Sequence, residues 1–111
     1  MRIYHITQLT DWEKARAAGS YRADSLASEG FIHCSTREQV PATGLRFYKG
    51  RTDLLLLEIE PGRLTAPLKY ENSEGGQPPF PHIYGPLNLD AVERTLPFPS
   101  NPDGSFDFPQ A

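Results

Sequence analysis

Apolar and polar residues alternate along several short segments of the chain, and this alternation has the period of an extended strand. The first segment, residues 3–7, predicts a strand with Ile3, His5 and Thr7 on one face and Tyr4 and Ile6 on the other. Residues 31–35 alternate in the same way and predict a second strand. Both segments place a histidine among the residues of one face.

Later segments complete the predicted sheet. Residues 54–57 are four consecutive leucines, and such an unbroken apolar run is typical of a central strand that is covered on both faces. Residues 68–71 predict a short edge strand, residues 82–84 an extended segment and residues 91–96 the last strand, with a turn at 86–90.

Short helices are predicted between these strands from capping signals. A serine or threonine before a helix, with Glu or Gln three residues later, satisfies free backbone N–H groups, and a glycine ends the helix. The signals are Thr10 with Glu13 and a closing Gly19, then Ser25 with Gly30, and then Thr36 with Gln39 before a helix that runs toward Tyr48.

Loops account for much of the remaining chain, which has 11 prolines and 9 glycines. Residues 72–81, NSEGGQPPFP, predict a mobile lid. Residues 97–111 predict an irregular tail that packs on the surface through Phe98, Phe106 and Phe108. No repeat and no domain boundary is evident, so we expect a single α+β domain over residues 1–111.

The composition restricts the compartment and the partners. A net charge of −3 gives no broad positive field to hold a nucleic acid. Cys34 is the only cysteine, which excludes an internal disulfide and fits a reducing compartment. No run approaches the roughly 18 apolar residues of a membrane span, and the first residues lack the apolar core of a signal peptide. We therefore expect a cytoplasmic protein with no membrane partner.

The three histidines share a local pattern, because each is followed two positions later by a hydroxyl residue. The pairs are His5 with Thr7, His33 with Ser35, and His82 with Tyr84. Residues two apart in a strand lie on one face, so neighbouring strands would bring imidazoles and hydroxyls to a single polar cleft. A cleft of this kind suits a sugar or a nucleotide.

The same residue types are also compatible with different roles. A strand histidine can simply bond a backbone carbonyl, and three imidazoles can also hold zinc with a fourth position open for water. Cys34 could act as a nucleophile beside His33, but it points to the opposite face of the strand, and a buried structural cysteine fits better. Arg22, in an apparent loop, is a candidate to contact a phosphate.

The segments IYHI, EGFIHCS, DLLLLEI and FPHIYGPLNLDAV resemble an uncharacterised bacterial family, domain of unknown function 952, over nearly the whole chain. More distantly, the same segments resemble the ADP-ribosyltransferase superfamily and its RNA 2′-phosphotransferase branch. This resemblance implies a small, split, mostly antiparallel sheet with short helices that binds NAD.

The resemblance also implies roles for particular residues. His5 and Thr7 match the positions that contact the adenosine ribose, and His33 with Ser35 and Thr36 resembles the motif that borders the nicotinamide ribose. His82 stands where the superfamily usually has a glutamate. A neutral imidazole lacks the negative charge that stabilises positive charge at C1′, so ordinary protein ADP-ribosylation is disfavoured. A protonated histidine would suit a phosphate instead.

Our leading hypothesis is an ADP-ribosyltransferase-like domain that binds NAD or a related nucleotide and transfers or cleaves its ADP-ribosyl or phosphate group. Tyr84 or Tyr48 would stack on the base. The partner is then a small nucleotide, with an RNA end and an unidentified protein acceptor left open. The alternatives are a non-catalytic nucleotide-sensing or protein-interaction module and a histidine-ligated zinc hydrolase. The candidate catalytic residues are His33 and His82, and the candidate binding residues are His5, Thr7, Arg22, Ser35, Thr36 and Tyr84.

Overall fold

The computed structural model describes residues 1–72 and 78–109. Short strands and three helices alternate along the chain. In order they are β1 (Ile3–Gln8), α1 (Leu9–Ala18), β2 (Ser20–Tyr21), α2 (Asp24–Glu29), β3 (Ile32–His33), α3 (Val40–Tyr48), β4 (Leu54–Ile59), β5 (Leu68–Glu71), β6 (Phe80–Ile83), β7 (Leu87–Asn88) and β8 (Val92–Pro97). Single turns of 3-10 helix lie at Arg37–Gln39, Pro61–Arg63 and Leu89–Ala91.

The strands form a split antiparallel sheet. One part has the order β1-β4-β8, a second has the order β3-β6-β5, and β2 pairs with β7. A bridge joins the first two parts, because Tyr4 N–H donates to the Ser35 carbonyl at 2.8 Å and Ser35 N–H donates to the Tyr4 carbonyl at 2.7 Å. The predicted α+β class with antiparallel pairing and short helices is confirmed.

The run of leucines forms the central strand β4, as predicted, with apolar clusters on both of its faces. Leu57 and Ile59 pack on one side with a cluster that includes Ile3 of β1. Leu56 packs on the other side with a cluster that includes Tyr4. His5 therefore projects to the same side as Ile3, where β3, β6 and α1 cover the sheet.

The start of α1 differs from the prediction. The helix begins at Leu9, directly after β1, and Gln8 occupies its N-cap position without a side-chain bond, so the predicted capping box of Thr10 and Glu13 is wrong. Leu9 N–H instead donates to the Asp53 carbonyl at 2.9 Å, a long-range contact that local sequence does not encode. The predicted end is confirmed, since Gly19 has a φ of 90° and its N–H donates to the Ala15 carbonyl.

The other two capping predictions have different outcomes. Ser25 lies inside α2, whose N-cap is Ala23, and the Ser25 hydroxyl donates to the Phe31 carbonyl at 2.7 Å rather than capping the helix. The capping box of Thr36 and Gln39 is confirmed, and Thr36 N–H donates to Gln39 Oε1 at 2.9 Å. It opens the 3-10 turn that leads into α3.

Two strand predictions were incomplete. The segment 31–35 pairs with β6 only briefly, because after Cys34 the chain leaves β6 and crosses to Tyr4 of β1. The strand β2 was not predicted, and its partner β7 lies within the predicted turn at 86–90. Both are two residues long, so neither shows a period in the sequence.

The described part of the C-terminal tail, residues 98–109, is irregular and is anchored in the core by two of the three predicted phenylalanines. Phe98 and Phe106 are buried and stack with ring centroids 4.6 Å apart. They lie against Gly44 of α3, where an added Cβ would come within 2.8 Å of the Phe106 ring. Half of the predicted lid of residues 72–81, namely residues 73–77, lies outside the described residues.

Candidate site: a cleft beside His5

A cleft of about 640 Å³ opens beside β1, between α1, the segment of residues 20–25 and the side chain of His33. We call it the His5 cleft. The lining residues with chemically useful side chains include His5, Lys14, Tyr21, Arg22, His33 and Tyr48. Two of the three histidines therefore lie on one cleft, as the sequence predicted, together with two tyrosines and two cations.

His5 lies in the floor of this cleft, with 7% of its surface exposed. Its Nδ1 lies 2.5 Å from the His33 carbonyl and its Nε2 lies 2.8 Å from the Tyr21 hydroxyl. A carbonyl only accepts, so Nδ1 carries the proton, and the Tyr21 hydroxyl lies beside Nε2 of the neutral ring. Burial lowers the pKa of His5 to about 4. Both nitrogens of this neutral imidazole are thus occupied by the protein itself.

Tyr21 connects His5 to Thr7, because its hydroxyl also lies 3.0 Å from the Thr7 hydroxyl. Burial raises the pKa of Tyr21 to about 12, which keeps the phenol protonated as a donor. We call His5, Tyr21 and Thr7 the His5 hub. Sequence analysis missed Tyr21, since its two-residue strand gave no signal. Thr7 was predicted to contact a ribose, but its hydroxyl lies in the hub and not among the cleft-lining side chains.

His33 lies on the wall of the cleft and is half exposed. Its Nε2 is 3.0 Å from Oε2 of Glu29, the last residue of α2. Since a carboxylate accepts, Nε2 carries a proton, and no bond to Nδ1 is formed by the described residues. Sequence analysis did not identify Glu29, although its spacing of four residues from His33 was visible.

His82 is 1% exposed and does not line the cleft. It is the cross-strand partner of His33, and the two ring centroids are 5.3 Å apart. Phe31 stacks on the His82 ring at 4.0 Å. The structure therefore places His82 behind His33, so the expected single wall of three imidazoles consists of two.

Glu71 joins His82 to Tyr84. His82 Nδ1 lies 2.9 Å from Glu71 Oε1, and the Tyr84 hydroxyl donates to the same oxygen at 2.5 Å. The bond from Tyr84, followed by that from His82, lowers the pKa of Glu71. The sequence placed Glu71 in an edge strand but gave no register that would pair it with His82. Tyr84 was predicted to bind the nucleotide, but its hydroxyl is held by Glu71, and the residue does not line the His5 cleft.

Two further predicted binding residues lie away from the cleft. Ser35 is buried, and its hydroxyl donates to the Thr43 hydroxyl of α3 at 3.2 Å. Thr36 caps the following 3-10 turn. The expectation that both border the same site as His33 is not met, because the chain turns from β6 toward β1 after Cys34.

The two cations of the cleft, unlike Ser35 and Thr36, lie on its lining. Arg22 and Lys14 are both exposed on its lining, and neither forms an ion pair with another residue in the described parts of the chain. Asp11 and Asp24 line the same cleft, so its charge is mixed rather than strongly positive. Arg22, a candidate phosphate contact from the sequence, therefore lies on the lining of the cleft.

The alternative chemistries receive little support. Cys34 is buried, and burial raises the pKa of its thiol far above the ordinary value, so it is a structural cysteine rather than a nucleophile. Across residues 1–72 and 78–109, no three His, Cys, Asp or Glu side chains are grouped to hold a metal ion. His5 has no free nitrogen to offer a metal.

No helix within residues 1–72 and 78–109 is long and apolar enough to cross a membrane.

Comparison with known proteins identifies the family. The model of DUF952, a family described as proteins of unknown function, matches residues 6–95, and the chain belongs to this family. The crystal structure of protein CC0527 from Caulobacter crescentus is 34% identical, with a TM-score of 0.87 over 96% of this chain and 94% of that one. Its solution NMR structure is 35% identical, with a TM-score of 0.82 over 94% and 90% of the two chains. No curated protein matches the chain.

Proposed function

We propose that this chain is an ADP-ribosyltransferase-like domain that binds NAD or a related nucleotide in the His5 cleft. The observation that carries the proposal is the lining of one cleft by imidazoles, an aromatic ring and unpaired cations. Its volume of about 640 Å³ lies within the usual range of small-molecule sites. A nucleotide needs these three kinds of group, for its ribose, its base and its phosphates.

Each kind of group has an assigned partner in the ligand. The Tyr48 ring stacks on the base, since an aromatic face provides contact area without requiring a particular base. Arg22 and Lys14 meet the phosphates, and Arg22 can do so with two parallel N–H donors. His5 bonds no ligand through its ring nitrogens. It fixes the Tyr21 side chain and the His33 backbone, between which the ribose binds.

The ADP-ribosyltransferase-like character of the proposal rests on the split antiparallel sheet and on the lining of the His5 cleft. His82, which stands where the superfamily usually has a glutamate, is buried outside this cleft with Glu71 Oε1 2.9 Å from its Nδ1, so it adds no support to the assignment.

The test is a titration of the protein with NAD, followed by NMR of the histidine and tyrosine side chains. We expect saturable shifts of His33 and Tyr48. Arg22→Gln should weaken binding by about tenfold, because a charge-assisted hydrogen bond contributes about 1.5 kcal/mol or more. Arg16→Gln is the matched control, since Arg16 is an exposed arginine on α1 that does not line the cleft. Unshifted resonances up to millimolar NAD would contradict the proposal.

A non-catalytic nucleotide-sensing module is the second candidate. It is favoured by the full internal bonding of His5 and by the burial of His82, which leave a single imidazole open to a ligand. The module and the enzyme both predict NAD binding. Only the enzyme predicts release of nicotinamide.

A further inference from the structure

The three imidazoles differ in the ring nitrogen that each leaves free. His5 donates through Nδ1 to the His33 carbonyl, and its Nε2 lies 2.8 Å from the Tyr21 hydroxyl. His82 is buried beneath Phe31 and bonded to Glu71. His33 bonds Glu29 through Nε2, and its Nδ1 has no partner among the described residues. His33 therefore combines a place on the cleft with a ring nitrogen that no described group occupies.

The His33 ring is held in position from several sides. Glu29 fixes the tautomer, because its carboxylate requires a proton on Nε2. The edges of Phe31 and His82 contact the ring, with centroids 4.8 and 5.3 Å away. A base that is oriented by a carboxylate and by packing is prepared for proton transfer before the substrate arrives.

Building on the proposed function, we propose that His33 is the general base of a hydrolytic reaction in which NAD is cleaved to nicotinamide and ADP-ribose. Glu29 is its positioning residue. A water O–H bond breaks and its proton passes to Nδ1 of His33, while the water oxygen forms a bond to C1′ of the nicotinamide ribose. The C1′–N bond breaks, and its electron pair neutralises the positive ring nitrogen of nicotinamide. His33 then releases the proton to solvent.

The arrangement favours this bond over others in the ligand. Nicotinamide leaves as a neutral molecule, so the reaction requires a base for the attacking water and no acid for the leaving group. His33 supplies a base, and neither His5 nor His82 is free to supply an acid.

The experiment measures NAD binding and nicotinamide release separately, across pH, for the full chain and its variants. We expect His33→Ala to lower kcat by about 100-fold, the lower range for loss of a general base, with NAD affinity changed by less than about threefold. The ascending limb of the pH–rate profile should disappear in this variant, and added imidazole should restore part of its rate. Glu29→Gln should lower kcat by about tenfold and leave KM unchanged. Glu38→Gln, at an exposed glutamate far from the cleft lining, should behave as the wild type.

The outcomes separate this inference from the proposed function. Binding of NAD without release of nicotinamide overturns the inference and leaves the binding function intact. Release that continues at the wild-type rate in His33→Ala, or production of AMP in place of nicotinamide, overturns the assignment of His33 and of the bond. Failure of NAD to bind removes both proposals.

Discussion

The His5 hub and the wall formed by His33 share one sequence pattern but differ in the bonding of their histidines. Each histidine lies in a short strand with a hydroxyl residue two positions later. In the hub, Thr7 stays beside its histidine through Tyr21, and both imidazole nitrogens are bonded within the protein. On the wall, Ser35 turns away to Thr43, and His33 keeps an open nitrogen. Burial, rather than local pattern, separates a histidine that is fully bonded within the protein from one that keeps an open nitrogen.

The largest expected effect is on stability and comes from removing the hub imidazole. His5→Ala should lower the free energy of unfolding by about 3 to 4 kcal/mol, because it leaves a cavity and removes the partners of the Tyr21 hydroxyl and the His33 carbonyl. His33→Ala should change it by less than about 0.5 kcal/mol, since its pairing with Glu29 is half exposed. Urea denaturation measures both, and equal losses would end the distinction between hub and wall.

Acid should lower the free energy of unfolding of the unmodified protein through His5 of the hub. The pKa of His5 is about 4 in the folded chain against an ordinary value of 6.5, so the unfolded chain binds the proton more readily. The contribution of His5 is therefore complete above pH 6.5 and is lost as the pH falls toward 4, by about 3 kcal/mol in total. The free energy of unfolding, measured between pH 7 and 5, should fall with falling pH in His33→Ala. This pH dependence should be lost when His5 is replaced. Glu58 and Glu71, whose pKa values are lowered in the folded chain, change the free energy of unfolding with pH only below this interval.

A smaller effect tests the bond between Tyr21 and His5. Tyr21→Phe keeps the ring and removes the hydroxyl, so that Nε2 of His5 and the Thr7 hydroxyl both lose their partner, and it should cost about 1 to 2 kcal/mol. Tyr48→Phe is the matched control, because Tyr48 lines the same cleft and belongs to no part of the hub. Thermal unfolding of the two variants gives the comparison. A loss in Tyr48→Phe as large as that in Tyr21→Phe would show that the hub bond contributes nothing specific.

The strongly patterned parts of the fold were predictable from sequence. The alternation at 3–7 placed His5 and Tyr4 on opposite faces, and the leucine run identified the central strand, because burial of a whole face leaves a repeating signal. Gly19 was recognisable because an αL end favours glycine. The start of α1 at Leu9 was not predictable from the sequence, since the contact from Leu9 to Asp53 joins residues far apart in the chain.

The candidate site was predicted only in part. His5, His33 and Arg22 were found from residue type and pattern, and the structure brings them to one cleft. Tyr21 and Glu71 were missed because their roles depend on strand register: Tyr21 lies in a two-residue strand, and Glu71 meets His82 only across the pairing of β5 with β6. Ser35 was misplaced because its strand ends two residues early. Register is set by the whole fold, and no local period encodes it.

The stacked pair of Phe98 and Phe106 ties the segment after β8 to the first strand. Phe106 completes the same apolar cluster as Tyr4 and Ile6, and Phe108 meets the Tyr4 ring edge at 5.0 Å. During synthesis, Val40 and Leu56 can cover part of that face of β1, and the rest stays exposed until residues 98–108 have left the ribosome. A nascent chain that stalls before Phe98 would therefore expose apolar side chains to which chaperones bind.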